Sequence, residues 1–94
     1  MTYVLFIHKV ENYAKWKQVY DSRVDIRKSK GSKGSYAFRD ADDPNQTVVI
    51  TTFENIGKAK KFGEAEELRT AWQKAGVINQ PAIYYLEEIE RNPH

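Results

Sequence analysis

His8 is the only internal histidine of this 94-residue chain, and His94 is its last residue. An imidazole with an unperturbed pKa of about 6.5 is the natural base for work near neutrality. His8 stands in HKVENYAKWKQVY, residues 8–20, where an apolar run stops and the large rings Tyr13, Trp16 and Tyr20 follow. Trp72 lies on a second amphipathic stretch. Two readings of these residues stand side by side. In one, His8 is a general base and the rings wall a pocket for a flat, apolar ligand, with hydroxyl and indole N–H groups as polar handles. In the other, His8 is a hydrogen-bonded histidine at a strand end and the rings are core.

Other chemistries lack their residues. There is no cysteine, so thiolate nucleophiles, disulfides and sulfur-ligated metals are excluded. No serine sits in a G-x-S-x-G turn. Two histidines, one of them terminal, are too few for a multi-histidine metal site. His8 and Glu11 are three apart but straddle the end of a strand, so they share no helical face. Glu64, Glu66 and Glu67 read as first-turn partners of a helix dipole, and Glu87, Glu88 and Glu90 as a solvated strand end. GSKGS, residues 31–35, lacks the spacing of a phosphate-binding loop. The expected site therefore holds no metal and no cofactor.

Charge adds little. Fifteen basic and thirteen acidic residues leave a net charge of +2, which gives no general case for nucleic acid. The one basic excess, Arg23, Arg27, Lys28, Lys30 and Lys33, reads as a solvated helix end running into a Gly/Ser loop. The N-terminal MTYVLFIHKV has neither the basic start nor the cleavage site of a leader, and its apolar run is too short to cross a bilayer. A soluble, cytoplasmic protein with no membrane partner is the expectation.

These residues need elements to hold them. TYVLFIHKV, residues 2–10, is apolar on both parities as far as Ile7 and predicts a strand buried on both faces. Asn12 is a suitable cap for a helix whose stripe is Tyr13, Trp16, Tyr20 and Val24, ending near Lys30. SYAFR, 35–39, and TVVITTF, 47–53, predict a hairpin around the turn residues of DADDPNQ. Asn55 caps a short helix to about Phe62, Gly63 breaks it, and a second helix runs from about Glu64 to Ala75 before Gly76 stops it. That helix carries the stripe Ala65, Leu68, Trp72 and Ala75. A last strand spans 82–89, and the ERNPH tail is frayed.

The order strand, helix, strand, strand, helix, strand is the ferredoxin-like βαββαβ pattern of an α+β domain. It implies a four-stranded antiparallel sheet with its helices on one face, and a single domain over 1–94. One face of that sheet has no helix to cover it. Yet the first strand is apolar on both sides, Tyr3, Leu5 and Ile7 against Val4 and Phe6, and so is the third, Val48 and Ile50 against Val49 and Phe53. The simplest cover for the open face is the same face of a second copy, which predicts a homodimer.

HKVENYAKW at the first strand–helix junction, FENIGKAKKF opening the second crossover, and ELRTAWQKAGVINQPAIYYLEE running into the last strand together resemble the dimeric α+β barrel superfamily, specifically its antibiotic biosynthesis monooxygenase-like proteins. The resemblance covers nearly the whole chain. It implies two sheets paired face to face across a dimer, and a pocket in each subunit between helices and sheet. Some members of that superfamily oxidise aromatic polyketides without metal or flavin, others degrade haem or isomerise lactones, and others have no known activity. Haem-degrading members use a histidine on the second crossover helix, and none lies between Asn55 and Gly76 here. The resemblance thus implies a cofactor-independent monooxygenase or related enzyme acting on a small aromatic or enolisable compound, and the residue reading above supplies His8 as its candidate base. The alternative is a non-catalytic, dimeric ligand-binding or stress-related module.

Overall fold

The computed structural model describes residues 1–94. Strand β1 (Thr2–Lys9) leads into helices α1 (Tyr13–Ser22) and α2 (Val24–Ser29). The hairpin of β2 (Gly34–Arg39) and β3 (Gln46–Phe53) follows, then α3 (Ile56–Gly63), α4 (Glu66–Ala75) and strand β4 (Ala82–Glu87). The sheet order is β2-β3-β1-β4 and every pairing is antiparallel. This is the expected ferredoxin-like α+β architecture, with each crossover made of two short helices.

The register sorts side chains between the two faces. Val4 lies opposite Thr51 and Tyr85, Phe6 opposite Val49 and Ile83, and His8 opposite Thr47. These residues face the helices, and Val4, Phe6, His8, Thr47, Val49 and Thr51 are all buried there. Alternate positions share the other face: Leu5 opposite Ile50 and Tyr84, Ile7 opposite Val48, Tyr3 opposite Leu86, and Tyr36 and Phe38 opposite Ile50 and Val48. Burial of β1 on both sides is therefore not achieved within one chain. Tyr3, Leu5 and Ile7 are half-buried, and Tyr36, Phe38, Tyr84 and Leu86 are 57, 53, 52 and 43% exposed.

The caps form as their residue types require. Asn12 Oδ1 accepts from the Lys15 N–H at 3.0 Å, and Asn55 Oδ1 from the Lys58 N–H at 2.9 Å. Gly76 ends α4 at φ 79°, a conformation that disfavours any residue with a Cβ, and the Val77 N–H returns to the Trp72 carbonyl at 3.0 Å. The next few residues are stitched to the end of β1. Glu11 N–H donates to the Gly76 carbonyl, Ile78 N–H to the Lys9 carbonyl, and Val10 bridges Val77. This stitching ties the helix that carries Trp72 to the strand that carries His8.

Several boundaries differ from expectation. The first helix does not run unbroken to Lys30: the Tyr20 carbonyl accepts from the Arg23 N–H at 3.2 Å and from Arg27 Nη1 at 2.9 Å, which closes α1 and restarts the chain as α2. Val24 consequently leaves the buried stripe and is 47% exposed. Gly63 is the last residue of α3 rather than a break before it. Ala65 is the extended residue before α4, so that helix starts at Glu66 and buries Leu68, Ala71 and Ala75. β1 stops at Lys9: the Val10 N–H still donates to the Asn45 carbonyl in the β1–β3 register, while Val10 pairs with Val77 as an isolated bridge. β4 stops at Glu87, leaving Ile89 97% exposed. The hairpin strands each begin one residue early, at Gly34 and Gln46.

Candidate functional site

His8 lies on the helix-facing side of β1, 1% exposed, beneath the junction of α1 and α4. Its ring is held between two indoles, with centroids 5.9 Å from Trp16 and 6.0 Å from Trp72. Neither Nδ1 nor Nε2 has a hydrogen-bond partner, so the expected hydrogen-bonded strand-end histidine is not what the fold makes. The cause is visible across the ladder. Thr47, the polar residue directly opposite, donates its hydroxyl to the His8 backbone carbonyl at 3.1 Å and leaves the ring alone. Burial without a partner disfavours the imidazolium and lowers the pKa to about 4. At neutral pH the ring is an uncharged imidazole with one free donor and one free acceptor.

The imidazole lines a cavity of about 40 Å³ between the sheet and the helices. Phe6 and Val49 form its floor, Trp16 and Tyr20 one wall, and Phe62, Leu68 and Trp72 the other. Trp72 meets Phe6 edge-on at 5.4 Å and 79°, and Phe62 closes on Phe53 at 5.2 Å. This volume holds a few waters at most; an engineered apolar cavity of about 150 Å³ is what accepts a benzene ring. Beside it, an open groove of about 320 Å³ runs between α1–α2 and α4, and it shares Val19, Arg23 and Ala71 with the cavity.

Of the ring residues named from sequence, Trp16 and Trp72 lie against His8, and Tyr20 lines the same cavity. Tyr13 does not line it. It lies one turn behind Trp16, at 5.9 Å, with the Arg39 guanidinium 4.3 Å over its ring. Tyr20 stacks on Trp16 at 5.3 Å and 19°, and its hydroxyl shares a 2.7 Å hydrogen bond with Ser35 Oγ, which in turn lies 3.4 Å from Thr51 Oγ1 on the cavity wall.

The sequence reading missed the arginines. Arg27 is 8% exposed, not a solvated helix end, and its guanidinium lies 4.1 Å over the free face of Tyr20. Arg23 is half-buried at the junction of cavity and groove, where loss of water lowers its pKa. A signal was present: after Trp16 and Tyr20, steps of three and four give Arg23 and Arg27, so the arginines continue the inward stripe that Val24 leaves. Nowhere do three or more His, Cys, Asp or Glu side chains converge as a metal site requires. No helix is long and apolar enough to cross a membrane.

Comparison with protein-family models and with curated proteins gives no match. Solved structures do match. A protein assigned as an antibiotic biosynthesis monooxygenase from Bordetella bronchiseptica superposes with a TM-score of 0.81 at 9% identity, over 95% of this chain and 97% of that one. SnoaB, a cofactor-independent oxygenase from Streptomyces nogalater, superposes with a TM-score of 0.77 at 12% identity, over 99 and 96%. A protein of unknown function from Nitrosomonas europaea gives 0.77 at 11% identity, over 97 and 91%. At such identities the likeness shows the shared α+β fold, the one the sequence resemblance implied, and does not by itself assign an activity.

Proposed function

We propose that this chain works in the cytoplasm as a homodimer, each subunit taking a small aromatic or enolisable compound into the His8 cavity and oxidising it with molecular oxygen, without metal, haem or flavin. The observation that carries this reading is His8: sealed from solvent, unpaired at both nitrogens and aimed into an aromatic cavity. Buried polar groups are almost always paired, and exceptions concentrate where function needs them. The description of SnoaB as a cofactor-independent oxygenase supports the same reading.

A cofactor-independent oxidation sets requirements on the substrate. With no cofactor, the substrate supplies all the electrons that reduce oxygen, so it must first become an electron-rich anion. A phenol with a hydrogen on its para carbon gives up its proton to His8. The anion passes an electron to oxygen, and the radical pair joins at the para carbon as a peroxide. Loss of water then leaves a second carbonyl. One oxygen molecule is consumed, one atom stays in the quinone, and the other leaves as water with the two hydrogens of the substrate. An isolated imidazolium is costly in this site, but one formed beside the substrate anion is half of an ion pair in a dry cavity. Trp16 and Trp72 exclude bulk water, and Tyr20 offers a hydroxyl.

The dimer supports the site by closing the sheet. Leu5, Ile7, Val48, Ile50 and the exposed rings of Tyr36, Phe38 and Tyr84 form one continuous apolar face, and pairing two such faces buries roughly 2,000 Å². Light scattering at micromolar concentration is expected to give twice the chain mass.

A second reading, a ligand-binding module without catalysis, is favoured by the small cavity volume of about 40 Å³, walled by Trp16 and Trp72. Oxygen uptake over a panel of phenols and quinols separates the two. For the enzyme, a turned-over substrate is found and His8→Ala lowers its rate by about a hundredfold or more. Equal rates take His8 out of the mechanism, and binding without uptake selects the module.

A further inference from the structure

We infer that the preferred ligand is an aromatic carboxylate, its ring against the cavity walls and its carboxylate held by Arg27 and Arg23 at the outer end. This rests on the reading above, that the His8 cavity is the ligand site, and adds the charge of what enters it.

Arg27 is a cation almost wholly removed from solvent, yet no carboxylate pairs with it. Its side chain donates one hydrogen bond, from Nη1 to the Tyr20 carbonyl, and lies over the Tyr20 ring. A guanidinium carries five N–H donors in a planar fork, so most of its donors remain free. None of its unpaired nitrogens is sealed from solvent, and the side chain lines both the cavity and, on its outer side, an open surface groove with Lys28, Lys33 and Ser35. Buried charges ordinarily have a partner, because stripping water from an unpaired one is expensive.

The carboxylates that could have served are committed elsewhere. Glu67, the acid closest in effect to Arg23, holds Lys30 at 3.1 Å, and Asp21 holds Lys17 at 2.6 Å. The groove itself carries Lys74 and Glu67, so the positive charge at the cavity's outer end comes from Arg23 and Arg27. The outer end of the cavity is thus cationic and the inner end is aromatic with a neutral imidazole. A planar anion on a flat ring is the ligand that satisfies both, since a guanidinium fork matches a carboxylate in two parallel hydrogen bonds. Arg23 and Val19 belong to both the small cavity and the larger groove, so a ligand anchored at Arg23 sits where the two meet, and seating its ring against Trp16 and Trp72 requires the cavity of about 40 Å³ to widen.

The test is a matched pair of probes, benzoate and its neutral isostere benzamide, titrated by calorimetry and by tryptophan fluorescence. Trp16 and Trp72 are the only tryptophans of the chain and both line the cavity, so the fluorescence reports this site. The full-length protein is expected to bind benzoate about tenfold or more tighter than benzamide, as one charge-assisted contact provides. Arg27→Gln and Arg23→Gln are each expected to abolish the preference, benzoate losing about tenfold more affinity than benzamide. Should Arg27→Gln fail to fold, the half-exposed Arg23 variant decides alone. Equal binding of the two probes by the parent protein overturns the anion assignment and leaves the cavity reading standing. Binding of neither probe overturns both. A preference for benzoate that survives both substitutions places the anion elsewhere and also overturns the inference.

Discussion

Replacing His8 by Leu is expected to stabilise the fold and to flatten its loss of stability in acid. The parent buries an imidazole with two unpaired nitrogens. Each unpaired polar group costs about 1–3 kcal/mol in a buried site, and leucine fills much the same space without that penalty. At pH 7 the variant should therefore be more stable by roughly 1–3 kcal/mol. The pH dependence follows from the depressed pKa. The folded state holds the imidazole at about 4, while the unfolded chain titrates near 6.5. Between those values the unfolded state binds the extra proton, so stability rises with pH across the window and falls as acid is added. Relative to pH 7, the His8 contribution alone removes about 2 kcal/mol by pH 5 and about 3 kcal/mol by pH 4. Carboxylates also titrate there, Glu88 among them, held below its usual range by hydrogen bonds from Tyr3 and Arg91. They are common to parent and variant, so the difference between the two curves isolates His8. The measurement is urea unfolding at a fixed protein concentration from pH 7 to pH 4. Parallel curves, or a variant less stable than the parent at pH 7, would show that the ring is paired in solution and would refute the reasoning.

Three further outcomes are expected. Phe53→Ala, at a fully buried position in contact with Phe62, should cost about 3–5 kcal/mol in denaturant unfolding, the usual range for a core aromatic. Asn12→Ala removes the cap on the Lys15 N–H and should cost about 1 kcal/mol, read as a shift in urea midpoint without a change in slope. The purified protein should show no haem or flavin band in its visible spectrum, and a chelator should leave any oxygen uptake unchanged.

Most of the fold was legible because it is written in short-range chemistry. Two-sided apolar runs in β1 and β3, asparagines capping α1 and α3 and a glycine after α4 each force one local outcome, and those outcomes agree. The misreadings have a common source in tertiary competition for backbone groups. The Tyr20 carbonyl is claimed by the Arg23 N–H and the Arg27 side chain, which breaks a helix that the 3.6-residue period alone would continue. At the end of β1, Val10 is taken up by an isolated bridge to Val77, a pairing that only the fold beyond α4 supplies. The site was legible in part: Trp16, Tyr20 and Trp72 fell on inward stripes, and His8 followed the parity of Val4 and Phe6. Nothing local could show that Thr47 would bond the His8 backbone instead of its ring, since that depends on cross-strand register.

The distribution of unsatisfied chemistry across the molecule is itself informative. The remaining polar residues of the buried set have ordinary accounts: Thr2 bonds Glu87, Thr47 bonds a backbone carbonyl, Thr51 lies within reach of Ser35, and Thr52 donates to the Gly34 carbonyl. Two residues do not fit that pattern, His8 with no partner and Arg27 with no counter-charge, and both line the same small cavity. A core selected for stability alone would carry an aliphatic side chain at position 8, because unpaired polar atoms there lower stability. Independent accidents would scatter over a chain of this size. Their coincidence in one aromatic-walled space, imidazole at the inner end and guanidinium at the outer, is what a site looks like when the missing partners of both groups belong to a single ligand.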